Sequence, residues 1–246
     1  MLAAVLAVSL ASCATPAPES GTGIGSGELA SSGWARASLS GADGSSWSHQ
    51  TFPGKRASRY APQRKDGRDA LMVSAASSAS MVRRKVHIEP ERLGRLQFSW
   101  LVPAMIETAD MSKREFDDSP VRLVLAFEGE RSTFSARDAM LSELAEALTG
   151  EPLPYATLMY VWSNRRESET VIINPRTSRI RKLVLENGPG KLSRWLNYDR
   201  DVKADFFHAF GEQPGALVSI GVMTDTDNTR SHASAWYGPV RFVPAD

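Results

Sequence analysis

The chain has 246 residues, with 29 Lys plus Arg against 28 Asp plus Glu and a formal net charge of +1. A general nucleic-acid binder carries a clear basic excess, so no nucleic-acid partner is expected. Cys13 is the single cysteine, which excludes an intramolecular disulfide and a zinc site built on several thiolates.

In chain order, residues 1–10 (MLAAVLAVSL) form an apolar run too short to span a bilayer but suited to the core of a secretion signal. It leads into Leu10-Ala11-Ser12-Cys13, which resembles a bacterial lipobox. Small Ala11 and Ser12 suit a tight peptidase site, and a thiol can become a thioether to diacylglycerol. The expectation is a signal peptide over residues 1–12 and a lipid anchor at Cys13, with the membrane as partner. The usual basic residues before the apolar run are missing, since the first Lys or Arg is Arg36. Ala14, rather than Asp, follows the cysteine. By analogy with enteric lipoproteins this favours a cell-envelope location, on the periplasmic face of the outer membrane. Residues 13–33 are rich in Ala, Gly, Ser, Pro and Thr and read as a disordered tether, leaving one folded domain over 34–246.

That domain has mostly strand-like periodicity. Strands are expected at 71–73, 80–88, 96–102, 121–127, 155–162, 170–173, 180–185, 217–223 and 233–243. Leu96, Phe98 and Trp100 share one face, and 121–127 (VRLVLAF) reads as a central strand covered on both sides. Two helices interrupt the strands. Ser135 caps the first, Met140, Leu141, Leu144 and Leu148 form its apolar face, and Gly150 ends it. The second starts at Asp201 or Asp205, aligns Val202, Phe206 and Phe210, and stops at Gly211. The fold expected is mainly β: a single jelly-roll-like antiparallel β-sandwich with two short inserted helices.

Common catalytic motifs are absent. There is no G-x-S-x-G elbow and no P-loop, and the four histidines form no H-x-x-x-H pair. The most polar feature is Asp225-Thr226-Asp227-Asn228-Thr229, which follows an apolar strand. Asp225 and Asp227 share a face in extended geometry. Three readings stand: a turn whose side chains satisfy their own backbone, a site for a hard cation such as Ca²⁺, or hydrogen bonding to sugar hydroxyls. Arg122 on a near-apolar strand needs a carboxylate partner, and Asp118 or Asp205 could supply one. Asp118, Asp205 and Asp225 are the candidates for a glycosidase-type acid and base. Trp100 and Trp162 lie in apolar strands and read as core. Trp195 with Tyr198, and Trp236 with Tyr237, lie in more polar contexts and are the better candidates for a sugar-stacking platform, against core burial, the commoner fate of Trp.

Several segments together resemble a bacterial secreted family, Domain of Unknown Function 3047. They include Thr51-Phe52-Pro53-Gly54-Lys55, Asp117-Asp118 with Arg122, residues 155–162 (YATLMYVW), Met223-Thr224-Asp225-Thr226-Asp227-Asn228 and Ala235-Trp236-Tyr237-Gly238. The resemblance runs from about Trp47 to Phe242 and implies no established activity. The expected function is ligand binding, of a glycan or an envelope protein, more than catalysis. Asp225, Asp227, Asn228 and Arg122 would orient the ligand and Trp236 or Tyr237 would stack, with no cofactor beyond Ca²⁺. The alternatives are a glycan hydrolase or lyase using an Asp pair, and a non-enzymatic envelope scaffold.

Overall fold

The computed structural model describes residues 24–38 and 45–245. Cys13 and its expected anchor lie outside the described residues. Two short helices, α1 (Ser26–Ala30) and α2 (Gly33–Ala37), precede the strands. Then come β1 (Ser48–Thr51), β2 (Arg59–Lys65), β3 (Arg68–Ala76), β4 (Ala79–Ile88), β5 (Arg95–Leu101), β6 (Ser119–Phe127) and α3 (Ala136–Thr149). β7 (Ala156–Ser163), β8 (Val171–Ile173), β9 (Ile180–Asn187) and β10 (Leu196–Asp201) lead to α4 (Val202–Phe210). β11 (Leu217–Asp225), β12 (His232–Tyr237) and β13 (Arg241–Val243) close the chain. Among the described residues, no helix is long and apolar enough to cross a membrane.

The strands form a jelly-roll-like sandwich of two sheets. A seven-stranded sheet has the order β1-β4-β11-β6-β7-β9-β8, and a six-stranded sheet has the order β10-β5-β12-β3-β2, with β13 also on β5. The chain passes repeatedly from one sheet to the other. Apolar residues at alternate positions make the core between the sheets: Leu123, Leu125 and Phe127 of β6 with Leu96, Phe98 and Trp100 of β5. β6 is buried at every position, as a central strand should be. Its outward side is covered near Met111, Val161, Ile172 and Val184, which form a second apolar cluster.

Four expectations need correction. The sheets are not wholly antiparallel, because β9 runs parallel to β7 and β8 pairs on its far side. The folded part begins before residue 34. Leu29 of α1 is fully buried and Ile24 packs on the core, so two apolar anchors order a stretch that its small-residue composition assigns to the tether. Ser32 caps α2, whose Trp34 donates from Nε1 to the Gly238 carbonyl at 2.9 Å. The third concerns α3. Its caps are as expected, Ser135 accepting from the Asp138 N–H and Gly150 in the left-handed region, but its apolar stripe points outward. Met140, Leu144 and Leu148 are more than half exposed while Asp138 and Ser142 are buried, because Thr177 and Arg131 hydrogen-bond to those two polar side chains. Fourth, Tyr237 is core rather than platform: it is 1% exposed, and its hydroxyl donates to the Met223 carbonyl of the opposite sheet.

Candidate functional site

The expected partners of Arg122 are not those in the fold. Arg122 lies on β6 with its side chain 3% exposed. Nε donates to Asp225 Oδ1 at 2.9 Å, and Nη2 donates to Asp117 Oδ1 at 3.0 Å and to the Asp117 carbonyl at 2.9 Å. Lys182 of β9 donates from Nζ to both oxygens of Asp117, at 2.6 and 2.7 Å. Burial opposes every charge in this network. It pushes Asp225 up to about 6 even against the attraction of Arg122. Burial, with repulsion from Arg122, pushes Lys182 down to about 8. Burial alone would raise Asp117, but Arg122 and Lys182 outweigh it and hold the carboxyl below its usual range. Burial likewise opposes the Arg122 charge, and Asp225 and Asp117 overcome it to raise that guanidinium.

Asp118 and Asp205 are engaged elsewhere. Asp118 is fully buried and takes four donors: the Asn228 N–H and Nδ2 on Oδ1, and the Thr229 N–H and Oγ1 on Oδ2. It holds the turn after β11. Asp205 of α4 accepts from Tyr160 Oη at 2.7 Å and from Arg200 Nε and Nη2 at 2.9 and 2.7 Å. It locks α4 onto β7 and β10. Asp227 pairs with Lys55. One oxygen each of Asp118, Asp225 and Asp227 lie within 4.8 Å of one another, the spacing of a cation site. Arg122 and Lys55 already bring positive charge to that cluster, and the N–H and hydroxyl donors on Asp118 fill its lone pairs.

The accessible chemistry lies on the outer face of the six-stranded sheet. Asp66 and Gly67 both have positive φ and close a two-residue hairpin, which puts Lys65 opposite Arg68 on that face. β12 ends at Tyr237. Gly238 then passes so close to Ser99 that a Cβ would collide with its Oγ, and β13 resumes along the same edge of β5. The break opens a groove of about 540 Å³. Arg68 enters from β3, and Ser99 pairs in register with Asn197. In the next row, Arg241, Gln97 and Asp199 stand side by side on β13, β5 and β10. Arg95 Nε donates to Asp199 Oδ1 at 2.7 Å, and Gln97 Nε2 donates to Asp199 Oδ2 at 3.3 Å. Trp195, just before β10, and Trp236 lie beside these polar rows. Each has a cation over its ring, the Arg68 guanidinium 5.0 Å and Lys65 Nζ 5.4 Å from the centroid. Among the described residues, neither indole Nε1 has a hydrogen-bond partner.

A larger cleft of about 750 Å³ lies over one end of the seven-stranded sheet. Glu151 fills its cationic wall, accepting from Arg83 Nη1 at 2.9 Å and Lys85 Nζ at 2.6 Å. Hydrogen bonds from Arg83 and Lys85 hold Glu151 below the usual carboxylate range. Glu151 thus neutralises Arg83 and Lys85 in this cleft, whereas in the groove Asp199 pairs with Arg95 and neither Arg68 nor Arg241 forms an ion pair among the described residues.

The structure therefore brings Arg122, Asp225, Asp118 and Asn228 into one buried knot, with Asp227 at its rim, and sets Trp236 on a different surface. Sequence reading missed Arg68, Gln97, Asn197, Asp199 and Arg241. The alternation in residues 196–201 (LNYDRD), with Asn197 and Asp199 outward, was the signal available for two of them.

Among known proteins, the family described as "Protein of unknown function (DUF3047)" matches residues 45–241. No curated protein matches the chain. Among solved structures, the xyloglucanase domain of NopAA, a type three effector from Sinorhizobium fredii, is similar at 10% identity and a TM-score of 0.42, over 82% of this chain and 95% of that one. The Trichoderma harzianum endoglucanase 3 from family GH12 is similar at 9% identity and a TM-score of 0.40, over 84% of this chain and 93% of that one.

Proposed function

We propose, for a chain that belongs to the family described as Protein of unknown function (DUF3047), that it is a lipid-anchored envelope protein whose β-sandwich binds a glycan in the groove of the six-stranded sheet, without catalysis. The observation that carries the reading is the composition of that groove. A sugar hydroxyl both donates and accepts hydrogen bonds, so its site needs donors and acceptors interleaved on a fixed surface. Asp199 accepts, and Gln97 and Asn197 do both, on the adjacent strands β10 and β5, while Arg68 donates from β3 across the end of β12. Trp195 lies under Arg68 at one side of the groove, and Trp236 lies under Lys65 outside it.

Glycoside hydrolysis needs two carboxyls facing each other across the scissile bond. Asp118, Asp205 and Asp225 are held by protein donors and lie outside the groove; of the two carboxylates that line it, Asp199 is held by Arg95 and Gln97 and Asp69 sits against Gly33. That arrangement favours binding over hydrolysis. Cys13 would fix the module to the periplasmic face of the outer membrane.

Affinity electrophoresis against a panel of envelope and plant polysaccharides tests the binding. Wild type is expected to be retarded by at least one polymer, and the pair Gln97→Ala plus Asn197→Ala to lose the retardation. Free migration of wild type through every polymer overturns the reading. For the anchor, Cys13→Ser is expected to leave the membrane fraction, and unchanged membrane association sinks that part.

A further inference from the structure

We infer that the ligand of this groove is an anionic glycan, whose oxyanion groups (carboxylate or ester sulfate) are taken by Arg68 and Arg241. The inference rests on the reading of the groove as a glycan site and narrows it to a charge class.

Arg68 is held ready for an anion. Nη1 donates to Asn197 Oδ1 at 2.6 Å and reaches Ser99 Oγ at 3.5 Å, and the guanidinium lies over Trp195. Among the described residues, its Nε and Nη2 donate to nothing, and Arg241 has no hydrogen-bond partner. Among the described residues, neither guanidinium forms an ion pair with a carboxylate, although Asp69 and Asp199 line the same groove. Asp199 is bound by Arg95 and Gln97, and Asp69 lies against Gly33 at the start of α2. In the larger cleft, by contrast, Glu151 matches Arg83 and Lys85. A stacked, pre-oriented guanidinium with one fork edge open binds two oxygens of an oxyanion at once, and it has little side-chain entropy left to lose. The second guanidinium, in the neighbouring row beside Gln97, spaces a second anionic contact along the chain. Neutral sugars offer these two groups only hydroxyl acceptors.

The test uses matched pairs of probes: a hexuronate oligomer and its carboxyl-reduced form, and a sulfated galactan oligomer and its desulfated form. Titration calorimetry is expected to show at least one anionic member binding about tenfold or more tighter than its neutral counterpart. Arg241→Gln should remove most of that preference and leave the neutral affinity within about twofold, whereas Arg68→Gln should remove the preference and also weaken the neutral form, because Arg68 donates to hydroxyls as well. Arg68→Lys should keep only part of it, because the fork is lost. Arg166→Gln, an exposed arginine outside the groove, should change nothing. Denaturant unfolding checks that each variant is folded. Which pair shows the preference identifies carboxylate or sulfate. Equal affinity within both pairs overturns the anionic assignment and leaves the glycan reading standing. Binding to no member of either pair overturns both.

Discussion

Arg122 shows how a single buried cation organises this protein. Its two carboxylates come from opposite sides, Asp117 from the loop before β6 and Asp225 from the end of β11, so it ties a loop to the sheet. Replacing it with Met would leave Asp225 buried without a cation and Asp117 with Lys182 alone, and a broken buried pair costs about 3–5 kcal/mol. Urea unfolding of Arg122→Met should show a loss of that order. Asp225 makes a second prediction. Its carboxyl is raised from 3.8 to about 6, so the folded state holds a proton there that the unfolded chain has released. The stability contributed is present below pH 3.8 and is lost as pH rises through about 6. A rise of this size corresponds to on the order of 3 kcal/mol. The difference in unfolding free energy between wild type and Asp225→Asn should therefore shift against wild type between those pH values. A flat difference would contradict the assignment. Lys182 works in the opposite range: lowered from 10.5 to about 8, it contributes stability above 10.5 that is lost as pH falls through 8.

At the scale of elements, α3 separates what local chemistry dictates from what packing decides. Its ends were legible because caps are local: Ser135 and Gly150 satisfy the terminal backbone groups wherever the helix packs. Its buried face was not, because Thr177 and Arg131, distant in sequence, turn Asp138 and Ser142 inward. The prediction is a reversal of the usual hierarchy. Leu144→Gln should change stability by less than about 0.5 kcal/mol, whereas Ser135→Ala should cost about 1 kcal/mol. Thermal unfolding of the two variants decides it. The strands divide the same way. β6 was legible from its unbroken apolar run, since both its faces are covered. β1 and β10 were missed because they are edge strands with polar residues outward, and β10 runs straight into the capping Asp201 of α4. The groove depends on β10, so missing that strand hid Asn197 and Asp199. The parallel β7–β9 pair needs β8 to lie beyond β9, an order that no local residue signals.

Across the whole molecule, the groove joins segments far apart in the chain. Arg68, Gln97, Asn197 and Arg241 reach it from four strands. α2 braces the break between β12 and β13, with Trp34 on the Gly238 carbonyl and Ser38 Oγ accepting from the Val240 N–H. Such a site exists only when both the sandwich and the N-terminal helices are in place, so a ligand that fits it binds the folded state and not the unfolded one. Linkage then makes stability a readout of binding. At a ligand concentration of 100 times Kd, the unfolding free energy should rise by about 2.7 kcal/mol. The urea slope should stay unchanged, because the surface exposed on unfolding is set by the fold. Trp34→Phe keeps the ring and removes the Nε1 donor to Gly238. It should weaken the ligand-induced gain more than it weakens the unliganded fold, since the lost bond fixes the groove's edge. An equal ligand-induced gain in wild type and Trp34→Phe would mean that the break between β12 and β13 holds its shape without α2.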